Sequence, residues 1–227
     1  MAIQLKKLID FELYGLLPVP GGFFYIKPNR LPDGKVKGEF YGYEVNGANT
    51  IPITKWVYFK AKFGRAYKAV TSQIKDYVSC ECGVLVGGDA VLLYPDGDLG
   101  VFNARGVATF TGTLKYHDEV VNGVAPDGRN FWGVVPALNS IICYSIEDKR
   151  VQMRIGSQGS TAFDKPVAVV RYGDKLYISN EGSCKVRTIS LLDYSVADYL
   201  KFEEPIKRFF MADGKEFVQL ESGVYQL

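Results

Sequence analysis

The chain contains one histidine, so any chemistry that needs several is closed to it. His117 stands in Leu114-Lys115-Tyr116-His117-Asp118. A lone imidazole cannot complete a multi-histidine zinc or iron site. With Asp118 as orienter it could serve a serine nucleophile, but the chain has no Gly-x-Ser-x-Gly elbow to present one. The segment therefore reads as a loop between repeats. Cys80 and Cys82 are two apart on an expected strand and share one of its faces, which is not the C-x-x-C spacing of a zinc knuckle or redox pair. They read as buried small hydrophobes, as do Cys143 and Cys184 in third-strand contexts of successive repeats. Asp96-Gly97-Asp98 lacks the further acidic positions and terminal glutamate of a calcium loop. Gly87-Gly88 and Pro20-Gly21-Gly22 open neither a phosphate loop nor a dinucleotide fingerprint. All of these read as turns. The expectation is no catalytic residue, no cofactor and no metal.

Recognition offers a better-marked candidate. Phe40, Tyr41 and Tyr43 lie within a segment of about 28–50, close to Arg30, Lys35 and Lys37. Tyrosine and phenylalanine on a protruding hairpin are enriched in binding sites, and flanking cations add specificity. The same rings would equally serve to pack the hairpin onto a neighbouring sheet, and the two roles are compatible.

These residues must be positioned by strands. Of 227 residues, fifteen are Tyr, fourteen Phe and 24 Gly, a composition of strands and turns. The formal net charge of +2 lacks the footprint of a nucleic-acid binder. No apolar run is long enough to span a bilayer, and Met1–Glu12 lacks the apolar core and cleavage site of a signal peptide. Four cysteines in a chain of this length do not make a disulfide framework. A cytoplasmic protein, or one in a particle assembled in a cytoplasm, is expected.

The turns repeat. Gly88, Gly128, Gly173 and Gly214 each follow one short apolar strand and precede another, at spacings of 40, 45 and 41 residues. Asp-Gly and Gly-Asp are the residues a tight hairpin needs, because they tolerate positive φ. Third strands centre near Val101, Ile142, Val186 and Val224, and fourth strands fit at 108–113, 151–155 and 196–200. Four short strands per period of 40 to 45 residues is the pattern of propeller blades. The last repeat lacks a fourth strand, which Ala2–Ile9 can supply, closing the ring and removing two sheet edges. The fold class predicted is a single all-β propeller of five blades over 1–227. The first repeat is longer, with 66 residues from Gly22 to Gly88. Its third strand is expected at Trp56–Phe59 and its fourth from near Ala66, so that 28–50 becomes an inserted hairpin or loop. Helix signals are weak, the nearest being Arg65–Tyr77.

Phe163–Arg187 resembles an NHL-type propeller repeat. Pro166 opens the first strand, Gly173 makes the turn, Leu176–Asn180 is the apolar second strand and Lys185–Arg187 the basic-apolar third. The repeats from about Glu119 and Pro205 match more loosely. The resemblance implies a binding platform, while some wider relatives are metal-dependent lactonases or lyases. The function expected is a non-enzymatic interaction or scaffold module whose partner is a protein or a glycan, with no nucleic acid and no membrane. The alternatives are a structural subunit of a virion or phage tail and, disfavoured, a metal-dependent propeller hydrolase or lyase.

Overall fold

The computed structural model describes residues 4–73 and 79–227. Blade one comprises β2 (Gly15–Val19), β3 (Gly22–Arg30), β4 (Val36–Glu44) and β5 (Asn49–Pro52), in that order from the centre outwards; β1 (Lys6–Ile9) precedes it. Two helices follow, α1 (Lys55–Phe63) and α2 (Tyr67–Gln73). Blade two is β6 (Glu81–Val84), β7 (Ala90–Leu93), β8 (Asp98–Phe102) and β9 (Ala108–Thr113). A small ribbon, β10 (Lys115–Tyr116) and β11 (Glu119–Val120), leads to blade three: β12 (Asn122–Asp127), β13 (Asn130–Val135), β14 (Ser140–Ser145) and β15 (Arg150–Ile155). Blade four is β16 (Pro166–Tyr172), β17 (Lys175–Asn180), β18 (Lys185–Ser190) and β19 (Val196–Lys201). Blade five is β20 (Ile206–Ala212), β21 (Lys215–Leu220), β22 (Gly223–Gln226) and, on its outer side, β1.

The chain is thus a five-bladed propeller closed by its first strand, as the repeats predict. Lys6 pairs with Gln226 and Lys7 with Tyr225. Residues 2–3 of the expected closing strand Ala2–Ile9 lie outside the described residues, as do 74–78, which include the end of the Arg65–Tyr77 segment.

One apolar cluster fills each gap between neighbouring blades. Phe23, Tyr43, Phe210 and Phe217 join blades five and one. Val91, Val101, Phe131 and Ile142 join two and three; Trp132, Ile141, Leu176 and Ile178 join three and four; Val186, Ile206 and Phe209 join four and five. Polar stitches cross the same gaps: the Tyr172 hydroxyl donates to the Met211 carbonyl (3.0 Å) and accepts from its N–H (2.7 Å), and Arg171 pairs with Asp127 at 2.8 Å.

The remaining gap, between blades one and two, is filled by the helices. Tyr58, Phe59, Phe63, Ala66 and Val70 pack between Ile26 of blade one and Ala90, Leu92 and Phe102 of blade two. This corrects the expected third and fourth strands of blade one. Those strands are β4 and β5, so 28–50 is blade sheet and the extra length of the repeat is helical. Trp56–Phe59 reads as a strand because aromatic and β-branched side chains dominate it. It folds as a helix because Thr54 caps it, its hydroxyl accepting from Val57 N–H at 3.4 Å, and because Phe59, Phe63, Ala66 and Val70 recur at helical spacing. Lys60 and Lys62 in the last turn favour the helix dipole.

The 28–50 segment does project in part. β3 and β4 pair along their whole length from Gly22↔Glu44 to Arg30↔Val36, whereas β2 covers β3 only as far as Ile26 and β5 covers β4 only from Tyr41. The outer end is therefore a free two-stranded ribbon. Among the described residues no helix is long and apolar enough to cross a membrane.

Candidate functional site

Strand direction alternates within each blade, so the connections sort onto two faces. Every first-to-second and third-to-fourth turn lies on one face, here called lower. Every second-to-third turn and every link between blades lies on the other, upper face. The turn glycines that carry the repeat are lower-face residues: Gly128 (φ 64°), Gly173 (φ 60°) and Gly214 (φ 72°) hold conformations that L side chains rarely adopt. Three departures from the repeat all emerge on the upper face: the helices, the β3–β4 ribbon and the β10–β11 hairpin.

On that face the central channel opens into a cavity of ≈ 290 Å³. Its wall is built from the upper ends of inner strands β2, β6, β16 and β20, and α1 lies against it. Arg208 on β20 reaches Glu81 on β6, Nη2 to Oε1 at 2.6 Å, so the ion pair joins blades five and two across the channel. Both side chains keep solvent contact, Arg208 at 23% and Glu81 at 37% exposure. Lys207 is exposed and makes no hydrogen bond or ion pair among the described residues. Tyr58 and Lys62 enter from α1; a methyl group at Gly15 would stand 3.0 Å from the Tyr58 hydroxyl, so glycine lets the ring approach.

Two of the cavity's potential nucleophiles, Tyr58 and Cys82, are held protonated. Burial pushes the Tyr58 phenol and the Cys82 thiol well above their ordinary values. Cys82 Sγ instead donates to the Lys62 carbonyl at 3.0 Å. All four cysteines are free thiols; Cys80 and Cys82 sit in the core beside the helices, Cys143 on β14, and Cys184 in the turn before β18 with φ 54° rather than in a strand. Among the described residues no group of three or more His, Cys, Asp or Glu side chains could hold a metal ion. His117 (φ 50°) and Asp118 (φ 65°) are the two turn residues of the β10–β11 hairpin, and the imidazole lies edge-on to Tyr116 at 4.4 Å. Asp96 forms the expected hairpin turn, its Oδ1 accepting from Asp98 N–H at 3.0 Å.

The six residues read as a recognition patch separate into two groups. Arg30, Lys35 and Lys37 stand exposed at the free end of the ribbon, Lys35 pairing with Asp33 at 3.1 Å. Phe40, Tyr41 and Tyr43 lie in the blade: Phe40 meets Tyr58 edge-on at 5.5 Å, Tyr41 stacks on Tyr25 at 5.4 Å, and Tyr43 stacks on Phe23 at 5.0 Å. The Tyr41 hydroxyl and Asn29 both donate to Glu39, holding its carboxyl below the usual range. The cavity residues Glu81, Lys207 and Arg208 went unremarked in the sequence, though a signal was present. Blade four has Val167-Ala168 where blade five has Lys207-Arg208.

No family model and no curated protein matches the chain. Of the likeness of Phe163–Arg187 to an NHL repeat, the four-stranded propeller blade is what the structure shows. Among solved structures, a catalytically inactive virginiamycin B lyase from Staphylococcus aureus with quinupristin is similar at a TM-score of 0.56 and 12% identity, over 94% of this chain and 79% of that one. A streptogramin B lyase structure is similar at 0.55 and 10%, over 98% and 96% of the two chains. U3-55K is similar at 0.54 and 9%, over 95% and 62%. Identities this low carry the propeller fold and nothing of activity.

Proposed function

We propose that this propeller is a non-catalytic interaction module that receives a protein partner on its upper face. One observation carries the reading. The helices, the basic ribbon end with Arg30, Lys35 and Lys37, and the β10–β11 hairpin all depart from the blade repeat on the same side, the face onto which the cavity opens. Packing alone explains the buried side of α1, but not Trp56 on its outer side, 52% exposed with Lys55 Nζ 5.0 Å from its ring centroid. Exposed apolar residues by themselves do not mark this face, since Leu192 on the lower one is 80% exposed. The protonated state of Tyr58 and Cys82 agrees with a binding role.

The test is crosslinking capture from native extract, with the intact chain compared with Trp56→Ala/Lys37→Glu above and Leu192→Lys below. The reading expects capture of a defined protein that the upper pair abolishes and the lower change spares. Capture that depends only on Leu192, or a glycan array signal with no protein captured, overturns it.

A further inference from the structure

We propose that the mouth of the channel is a carboxylate-receiving site, with Lys207 and Arg208 as donors and Glu81 as the group that positions Arg208. The inference rests on the upper face being the recognition face and names the chemistry at its centre.

The first support comes from the repeat. The inner strands of blades three, four and five each carry a break in pairing register near their upper ends: between Asn122 and Ala125, Pro166 and Ala168, and Ile206 and Arg208. Such bulges re-aim side chains, and here Val167 and Lys207 both line the cavity. After the break blades three and four have Ala125 and Ala168, so the fold is satisfied there by a small side chain. Only blade five of these three places two cations at this level. Bringing charge to a channel wall carries a desolvation penalty that packing does not require.

The second support is the geometry of Arg208. Among the described residues it makes one hydrogen bond, from Nη2 to Glu81. Nη2 keeps its second hydrogen, which with a neighbouring N–H makes a planar guanidinium edge that matches the two oxygens of a carboxylate. Glu81 fixes the plane of that fork from the opposite side of the channel. Lys207, one residue away, adds a mobile point charge.

Charge and size select the ligand. Lys62, Lys207 and Arg208 line the cavity against the single carboxylate of Glu81, so the mouth is net positive and takes an anion, and the planar edge of Arg208 matches the two oxygens of a carboxylate. A volume of ≈ 290 Å³ admits a side chain, a chain terminus or a small acid, not a folded segment. The acid could belong to a protein partner or be free in solution, and the test separates the two.

The intact chain is titrated by NMR with three probes: an acetylated Ala-Ala-Glu amide, its Ala-Ala-Gln counterpart, and succinate. The proposal expects the glutamate peptide or succinate to shift the backbone amides of 81–82 and 207–209 saturably, and the glutamine peptide not to. Arg208→Gln should weaken binding by about tenfold or more, the loss of a charge-assisted hydrogen bond. Lys207→Gln, outside the ion pair, should weaken it severalfold with folding intact, which keeps the test decisive if Arg208→Gln fails to fold. Tighter binding of the peptide assigns the acid to a partner chain; tighter binding of succinate assigns it to a small molecule. Equal shifts with Glu and Gln peptides, equal affinity in wild type and Lys207→Gln, or no saturable shift with any probe overturns the site. Carboxylate binding without upper-face dependence of protein capture would leave the site standing and remove the interaction reading. Upper-face capture without carboxylate dependence would do the reverse.

Discussion

The two faces of this ring are made by the same five blades, yet only one of them repeats. The lower face is a series of short turns that recur because a hairpin must reverse, and positive-φ glycines at 128, 173 and 214 let it do so. The upper face carries everything irregular: a helical wedge, a projecting ribbon, a second small hairpin, and a channel mouth crossed by an ion pair. The difference teaches that regularity in a repeat protein reports what the fold needs, and irregularity reports what has been added to it.

Substitutions can break or sharpen this division. The largest expected effect is on the upper side, where Phe63 is fully buried between the helices and blade two. Phe63→Ala should destabilise by about 3–5 kcal/mol in urea unfolding, as for other large-to-small core changes. A loss below about 1 kcal/mol would mean that the wedge is an appendage rather than part of the ring. Next comes the lower face. Gly173 has open space where a Cβ would stand, so Gly173→Ala should cost about 1–2 kcal/mol from backbone conformation alone. Partner capture and carboxylate binding should be unchanged; if either falls with the turn, the two faces are not independent.

Thr54→Ala removes the cap of α1 and should cost about 1 kcal/mol, with a small loss of helical circular dichroism. A further effect is a pH dependence inside blade three. Burial raises the Cys143 thiol to about 11. Because the folded value lies above the ordinary 9.0, the stability that protonation confers is complete below about pH 9 and is lost as pH climbs towards 11. Cys143→Ser should flatten that part of a stability profile, and alkylation of Cys143 at pH 8 should be slow in the native protein.

The blades were legible because a two-residue hairpin imposes a narrow choice of residues, and that choice recurs at nearly constant spacing. Ring closure followed from a last repeat one strand short. The helical wedge was hidden by its own composition. Trp56, Val57, Tyr58 and Phe59 have strand-like side chains, and the cap at Thr54 is a single weak signal. Misplacing that wedge shifts two strands of blade one and makes its sheet residues look like an insertion; Phe40 and Tyr43 take the packing role that the sequence leaves open beside recognition. The ion pair at the channel mouth was illegible for another reason. Glu81 and Arg208 are 127 residues apart, and a single charge in an alternating strand resembles one that faces solvent. Only the closed ring turns those positions inward.

The pairing of Lys6 with Gln226 also sets how the molecule hangs. β1 rises towards the upper face and β22 descends from it, so residues 6 and 226 leave the ring side by side on the lower face. A tether or surface linker fixed at either end would hold the propeller with its channel mouth outward. A load applied between those two points would open the β1–β22 ladder one residue pair at a time from that end, like the tab of a zip, so the clasp of the ring is also where such a load acts first.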